Sequence, residues 1–288
     1  MKVRIGTRKS RLAIAQAQLV ADKLKEVSPQ VETELVYIST KGDREKNIPL
    51  DSMGGKGVFV SDIETALVNK EIDLAVHSAK DLPVELAKGL SVSAVLKRGS
   101  CRDVLVVRTG NKIQSDTDMT VGTGSLRRRL YVEKLFRNAH TADIRGNVDT
   151  RLNKLLNGEY DALILAMAGL ERLGLTEDER FDFHIFNYSD FLPAPCQGII
   201  AVESREHDFT EELLANINDE KTYCAFEVER SILNLVGGDC NTPIGAYSYV
   251  SCGKINILLS KDCNKVVTGT ASVDERFTLA ERLVNMCG

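Results

Sequence analysis

Arginine side chains gather in one stretch of this chain. In VGTGSLRRRL, Arg127 and Arg128 follow a strand-like run and a Gly-Ser turn, and DIRGNVDTRL soon adds Arg145 and Arg151. Guanidinium is always charged, and its planar fork of donors matches carboxylate or phosphate groups. Ser125 stands where it can cap the following helix, so free N–H groups and the helix dipole would face the same anion. The cluster favours a site for a ligand with several negative groups over a solvated helix face.

The distribution of charge fits a local anion pocket. Residues 1–97 carry 15 basic and 13 acidic side chains, residues 98–151 carry 11 and 6, and residues 152–288 carry 11 and 22. The chain has a net charge of −4, so a basic middle lies within a mildly acidic protein. A general nucleic-acid-binding protein usually has a basic domain, and this pattern therefore argues against nucleic acid as a partner.

Length and cysteine content indicate the class of protein. A chain of 288 residues is expected to form two or three domains. No run approaches the roughly 18 apolar residues of a membrane span, and MKVRIGTRKSRLA lacks an apolar signal core, so we expect a soluble, cytoplasmic protein without a membrane partner. The seven cysteines include no C-x-x-C pair, and the four histidines lack metal-ligand spacing, which predicts neither disulfides nor a metal.

Strand-like and helix-like segments alternate along most of the chain. Two βα-rich halves joined by two crossings predict two doubly wound α/β domains, followed by a small C-terminal α+β domain. The predicted domains are residues 1–98 with 198–217, residues 99–197, and residues 218–288. Ser61 is expected to cap the helix SDIETALVNKEI, and Gly237-Gly238 to end the helix EKTYCAFEVERSILNLV.

Four loops carry further side chains suited to chemistry. They are TRKSRLA with Arg8 and Ser10, GGKGVF with Lys56, HSAKDLP with His77, Lys80 and Asp81, and GGDCNTPIG with Cys240. Each loop is a weak signal alone, since a strand-end Lys-Asp pair is usually a surface ion pair. GGKG is not a P-loop, because the G-x-x-x-x-G-K-[ST] pattern is absent. The loops matter as an ordered set.

As a set, the motifs resemble those of the porphobilinogen deaminase (hydroxymethylbilane synthase) family. The matching segments are IGTRKSRLAIAQA, GGKGVF, DLAVHSAKDLP, VGTGSLRRR, IRGNVDTRL, YDALILAMAGLERLGL, LPAPCQG and GGDCNTPIGAY. The resemblance implies a transferase that joins four porphobilinogen molecules head to tail, releases ammonia at each step, and frees linear hydroxymethylbilane by hydrolysis. This is a step of tetrapyrrole, including heme, biosynthesis. It further implies periplasmic-binding-protein-like domains and a monomer.

The resemblance also implies a cofactor and a set of site residues. The cofactor is a dipyrromethane, assembled from two porphobilinogen units and held by a thioether to one cysteine. The matching motifs assign the catalytic carboxylate to Asp81, the thioether to Cys240, cofactor binding to Lys80, Ser125, Arg127 and Arg128, and substrate binding to Arg8, Ser10, Lys56, Arg145, Arg151 and Arg172. Each porphobilinogen ring brings an acetate and a propionate, so a growing chain needs many charge-assisted donors. Arg129 is left outside the site because a helix turns it away.

Two positions depart from the family pattern. Ser52 stands where family members often have Lys, and Cys196 replaces Gly in LPAPCQG, which makes it a second candidate thiol. We expect a lid at 43–57 and hinges near 98–103 and 191–198. Two other readings stay open, a non-catalytic two-domain anion-binding protein and a nucleic-acid-binding protein. A covalent pyrrole adduct on the purified chain separates the enzyme from both.

Overall fold

A computed structural model describes residues 1–40, 42, 60–238 and 242–287 of the chain. These residues form two compact units. The first unit is Met1–Arg98 with Ile199–Cys224, and the second is Gly99–Gly198 with Ala225–Gly288. The predicted division into three domains stays a prediction.

Strands and helices alternate through most of the described chain. The strands are β1 (Lys2–Thr7), β2 (Glu32–Tyr37), β3 (Leu74–Ser78), β4 (Leu90–Val95), β5 (Asp103–Arg108), β6 (Met119–Gly122), β7 (Ala139–Ala142), β8 (Ala162–Ala166), β9 (Phe181–Ile185), β10 (Ile200–Arg205), β11 (Gly245–Ser251), β12 (Lys254–Ser260) and β13 (Val267–Ser272). The helices are α1 (Arg11–Val27), α2 (Ser61–Val68), α3 (Leu126–Leu135), α4 (Val148–Leu156), α5 (Met167–Arg172), α6 (Glu211–Ala215), α7 (Glu220–Leu235) and α8 (Arg276–Met286).

The first unit contains a five-stranded sheet in the order β2-β1-β3-β10-β4. Strands β1, β2 and β3 are parallel, whereas β10 runs antiparallel to both β3 and β4. Apolar residues at helical spacing on α1, from Ala17 to Leu24, pack in one core with residues of β1, β3 and β10. The parallel strands therefore send their carboxyl ends to one edge of the sheet, where ligand sites of α/β folds usually lie.

The second unit repeats this arrangement. Its five-stranded sheet has the order β7-β6-β8-β5-β9, with β6 parallel to β7 and β8, and β5 antiparallel to β8 and β9. Strand β5 is buried along almost its whole length, which explains its apolar sequence DVLVVR. A separate antiparallel sheet, β11-β12-β13, packs with α8. The expected α/β architecture with a small α+β part is confirmed.

Details at helix ends differ from expectation. The N-cap of α2 is Val60, not Ser61, and Ser61 is already the first helical residue. The predicted cap at Ser61 is therefore wrong. The carbonyl of Ser61 accepts a hydrogen bond from the Thr65 hydroxyl inside the helix. The end of α7 is as predicted, because Gly237 has φ +59° and Gly238 N donates to Leu233 O at 3.0 Å. Helix α6 was not predicted.

The described residues contain neither a membrane-spanning helix nor a cluster of metal-ligating side chains. None of their helices has the length and apolar character needed to cross a membrane. Over the same ranges, no group of three or more His, Cys, Asp or Glu side chains is arranged to hold a metal ion. The segment expected to form a lid, at 43–57, lies outside the described residues.

Candidate active site

In the first unit, the predicted site residues follow two neighbouring strands. Arg8 and Ser10 come directly after β1, and Lys80 and Asp81 come directly after β3. Because β1 and β3 pair in parallel, both strands end at the same edge of the sheet. Helix α1 is tied to the end of β3 by Gln16, whose amide donates to the Ser78 hydroxyl at 2.9 Å. The structure brings these four predicted residues to one edge.

Asp81 ends a short 3-10 turn, Ala79–Asp81, and its side chain is exposed. It forms no hydrogen bond or ion pair with another described residue, so the carboxylate can meet a ligand from solvent. Lys80 is half-buried beside it. Arg8 is also half-buried. A carboxylate at the same sheet edge as basic side chains suits a site that handles a cationic reacting group and anionic substituents.

In the second unit, the predicted residues follow three neighbouring parallel strands. Ser125, Arg127 and Arg128 come after β6, Arg145 and Arg151 come after β7, and Arg172 ends the helix that follows β8. The order β7-β6-β8 sets the ends of these strands side by side. The arginine-rich segments thus meet at one sheet edge.

Arg127 and Arg128 are buried rather than exposed, and both bind Asp103. Arg127 Nη2 donates to Asp103 Oδ2 at 2.8 Å, and Arg128 Nε donates to Asp103 Oδ1 at 2.9 Å. Each also donates to a backbone carbonyl, Arg127 to Leu192 O at 2.7 Å and Arg128 to Ile164 O at 2.9 Å. Both cations pair with the carboxylate of Asp103, and burial strengthens the electrostatic interactions of all three groups. The two side chains therefore supply positive potential more than free donors.

Arg127 keeps one unused donor. Its Nε is buried and has no hydrogen-bond partner among the described residues. A buried donor without a partner is costly, and it favours the approach of an acceptor from a ligand.

Arg172 has a different environment. Its Nη2 donates to Gly198 O at 2.5 Å, but it forms no ion pair with a carboxylate of the described residues. Burial lowers the pKa of Arg172 to about 10, and the nearby Glu171 carboxylate opposes this shift only partly. The group is still a cation at neutral pH. A bound carboxylate would compensate its lost hydration.

The two serines of the predicted site serve their helices differently. Ser10 caps α1, because its hydroxyl oxygen accepts a hydrogen bond from Ala13 N at 3.3 Å. Ser125 occupies the N-cap position of α3, but its side chain makes no capping hydrogen bond, so the predicted cap is wrong in that respect. The first-turn N–H groups of α3 are left without that side-chain acceptor. They remain suited to an anion.

The remaining arginines lie nearer the surface. Arg145 is exposed, and Arg151 Nε donates to Gly146 O at 2.8 Å in the loop before α4. Arg129 forms an ion pair with the exposed carboxylate of Asp143. Leaving Arg129 outside the site agrees with this pairing.

The thiols fall into different surroundings. Cys240, Lys56 and Ser52 lie outside the described residues, so their roles stay predictions. Cys196 is fully buried, and its backbone N donates to a carboxylate oxygen of Glu229 at 2.5 Å. Its φ of +61° is in the region that favours glycine, which fits its place in a motif that usually has Gly there. Burial makes Cys196 a poor site for alkylation.

Sequence reasoning missed the partner of the arginine pair. Asp103 opens β5, whose next four residues, VLVV, are apolar, and it is fully buried. A carboxylate at the start of an apolar strand is the signal that could have identified it, since such a group needs a cationic partner.

Comparison with known proteins gives consistent matches. The sequence model of the family described as porphobilinogen deaminase, dipyromethane cofactor binding domain, matches residues 3–212. The porphobilinogen deaminase of Acetivibrio thermocellus is 43% identical over 255 residues, which cover 88% of this chain and 86% of that one. The porphobilinogen deaminase of Streptococcus sanguinis is 40% identical over 289 residues, which cover 98% and 94%. The Bordetella pertussis BvgS periplasmic VFT2 domain aligns with a TM-score of 0.44 at 14% identity, over 78% of this chain and 92% of that one.

The sequence matches extend over most of the chain and include the loops that carry the predicted site residues. They confirm the family inferred from the ordered motifs, and with it the predicted fold class. The chain belongs to the porphobilinogen deaminase family.

Proposed function

We propose that this chain joins four porphobilinogen molecules head to tail, releases ammonia at each step, and frees hydroxymethylbilane by hydrolysis. Membership of the porphobilinogen deaminase family supports this reaction. The observation that carries the assignment of residues is the clustering of guanidinium groups at the arginine-rich edge of the second unit. There Arg127 and Arg128 share one carboxylate, and Arg172 has none among the described residues.

The described residues fit a dipyrromethane. Each of its two rings carries an acetate and a propionate, so the group brings four carboxylates. The second unit offers the unused Arg127 Nε, the uncapped first turn of α3 and the cation of Arg172. We assign cofactor binding to Lys80, Ser125, Arg127 and Arg128, and the thioether to Cys240. When bound, the dipyrromethane supplies the ring to which the first substrate is joined.

Asp81 is proposed as the catalytic carboxylate. Substrate that loses ammonia becomes a cationic pyrrole, and an exposed carboxylate can stabilise that charge as it develops. The same group can accept and return a proton at the leaving amine or at the attacked ring carbon. Its place in a turn next to β3 keeps it on a rigid element.

Substrate carboxylates are proposed to bind a second set of donors. This set consists of Arg8, Ser10, Lys56, Arg145, Arg151 and Arg172. Lys56 lies outside the described residues. Arg8 and Ser10 follow β1 of the first unit, and Arg145, Arg151 and Arg172 follow neighbouring strands of the second, so these donors stand on rigid elements. We further propose a cytoplasmic monomer that binds no nucleic acid, and light scattering of the purified chain tests the monomer.

The decisive experiment is the intact mass of the purified chain with peptide mapping of its cysteines. We expect an excess equal to two linked pyrrole units on Cys240. The same excess on Cys196 would keep the reaction and overturn the assignment of the thiol. A chain without adduct that gains none on incubation with porphobilinogen would contradict the enzyme and favour the anion-binding alternative.

A second experiment tests Asp81. Asp81→Asn removes the charge and keeps the shape of the side chain. The cofactor should still assemble on the variant, or the variant should accept preassembled cofactor. Turnover should fall about a hundredfold or more. Retention of full turnover would remove Asp81 from the chemistry.

A further inference from the structure

Three ionisable side chains are buried together in the first unit, next to the strand that leads to Asp81. They are Glu64 on α2, His77 on β3 and Glu203 on β10, and we call them the buried triad. His77 Nε2 lies 2.9 Å from Glu203 Oε2. Glu64 Oε1 accepts a hydrogen bond from Ala87 N at 3.0 Å. Such groups are rarely buried without a purpose in folding or function.

The buried triad contains two carboxyl groups, those of Glu64 and Glu203, and one imidazole, that of His77. Burial raises the pKa of Glu64 above its usual range, although the hydrogen bond from Ala87 N lowers it. The Glu203 carboxylate raises this pKa further, and His77 lowers it. These two are the charged groups of the described residues that act on Glu64. The second oxygen of Glu203, Oε1, is buried and has no hydrogen-bond partner among the described residues. A proton retained on Glu64 relieves the repulsion between the two carboxyls.

The triad adjoins the end of β3. His77 pairs with Ala201 and Ser78 pairs with Ile200 in the antiparallel register of β3 and β10. The next residue, Ala79, donates its N–H to Ile199 O at 3.0 Å, and the turn that ends at Asp81 begins there. The bond between His77 and Glu203 thus braces β3 against β10 just before the turn.

The opposite side of β3 is held by α1. Gln16 exchanges two hydrogen bonds with the Ser78 hydroxyl, at 2.9 and 3.2 Å. The side chain of Asp81 makes no such bond to a described residue, so its position depends on the backbone of the turn. A shift of about 1 Å in a group of this kind can cost up to about a hundredfold in rate.

We propose that Glu64, His77 and Glu203 are positioning residues for Asp81, which hold the end of β3 through buried polar contacts. The inference rests on the proposed catalytic role of Asp81. Glu203 acts as the hydrogen-bond partner of His77, and the raised pKa of Glu64 favours its protonated form. The neutral amide of glutamine should therefore replace Glu64 but not Glu203.

The test compares Glu203→Gln, Glu64→Gln and the matched control Glu206→Gln in the holoenzyme. Glu206 directly follows β10 and is exposed. The measurements are kcat and KM for porphobilinogen across pH, the cofactor adduct by intact mass, and the melting temperature. We expect Glu203→Gln to lower kcat about tenfold while KM stays within about twofold and the adduct stays complete.

The pH profile gives a readout that a purely structural role would not change. The pKa of Glu64 is raised, and Glu64→Gln has no proton to lose at this position, so kcat of the variant should stay near that of the parent enzyme at low pH and decline less as pH rises. His77→Gln, which keeps a donor for Glu203 but cannot titrate, replaces Glu203→Gln if the latter does not fold.

Several outcomes would overturn the inference. One is a kcat for Glu203→Gln equal to that of Glu206→Gln. Another is a loss of kcat in Glu203→Gln that equals its loss of adduct or of folded protein. The buried triad would then contribute only to stability. Failure of the proposed function would appear elsewhere, as an Asp81→Asn variant with full turnover or a parent chain without the Cys240 adduct.

Discussion

Arg172 is a guanidinium that burial disfavours and that no carboxylate of the described residues neutralises. A buried, unneutralised cation raises the free energy of the unliganded protein. The same cation strengthens the binding of an anionic ligand. We predict that Arg172→Gln raises KM for porphobilinogen about tenfold to a hundredfold, as expected for loss of a charge-assisted bond of roughly 1.5–3 kcal/mol. Steady-state kinetics give the measurement.

Arg180→Gln is the matched control for Arg172→Gln. Arg180 is exposed, and it pairs with Asp178 at 2.6 Å. It should leave KM unchanged. Because Gly198 O also accepts from Gly99 N, at 3.1 Å, the Arg172 variant should unfold no more easily than the parent. An unaltered KM together with a lower melting temperature would assign Arg172 to structure.

For Asp103 we predict a loss of stability, in contrast to the change in KM that we predict for Arg172. Asp103→Asn would leave Arg127 and Arg128 buried without their shared carboxylate, and breaking a buried pair in this way costs about 3–5 kcal/mol. The free energy of unfolding, from denaturant titration, is the measurement. Asp143→Asn removes the exposed partner of Arg129 and should cost less than about 1 kcal/mol. Equal effects of the two variants would contradict the buried network.

At the scale of helices and strands, two serines at helix starts give a matched pair. Ser10 caps α1 through Ala13 N, whereas the Ser125 side chain makes no cap on α3. We predict that Ser10→Ala lowers the free energy of unfolding by about 1 kcal/mol. Ser125→Ala should change it by no more than about 0.3 kcal/mol, because no capping bond is lost.

We also expect Ser125→Ala to affect the cofactor, although it should have little effect on stability. Ser125→Ala is expected to slow assembly of the covalent cofactor, since its hydroxyl is available to a ligand at the arginine-rich edge of the second unit. The adduct formed over time on incubation of the unmodified chain with porphobilinogen provides the measurement. A destabilised Ser125→Ala that assembles the cofactor at the normal rate would show that the hydroxyl caps the helix after all.

For the whole molecule, the charge pattern predicts a dependence on salt. The chain carries a net charge of −4, yet residues 98–151 carry 11 basic and 6 acidic side chains. An anionic substrate is therefore attracted locally rather than by the protein as a whole, and salt screens this attraction. We predict that KM for porphobilinogen rises about threefold between low and moderate ionic strength, while kcat changes little.

Arg172→Gln supplies the control for the salt experiment. With one substrate-binding cation removed, KM should rise less steeply with salt than it does in the parent enzyme. A KM that is independent of ionic strength in both proteins would contradict electrostatic recognition of the substrate carboxylates.

The sequence alone determined the family, most of the order of the elements, and the strand ends that carry the predicted site residues. Those features follow from local signals: apolar periodicity, Gly turns, and motifs such as HSAKDLP and VGTGSLRRR. The motifs could place Arg127 after a strand. They could not say that the side chain turns inward, because its partner Asp103 is distant in sequence and is brought near only by the pairing of β5 with β8.

The tertiary structure decided which polar groups are already engaged. Burial sets the pKa of Arg172 and the environment of Glu64, and burial depends on how helices pack on sheets rather than on neighbours in the chain. It also decided that Ser10 caps its helix while Ser125 does not, although both stand before apolar helical segments. Residue type and spacing specify which chemistry is possible, whereas packing determines which donors, acceptors and charges remain for a ligand.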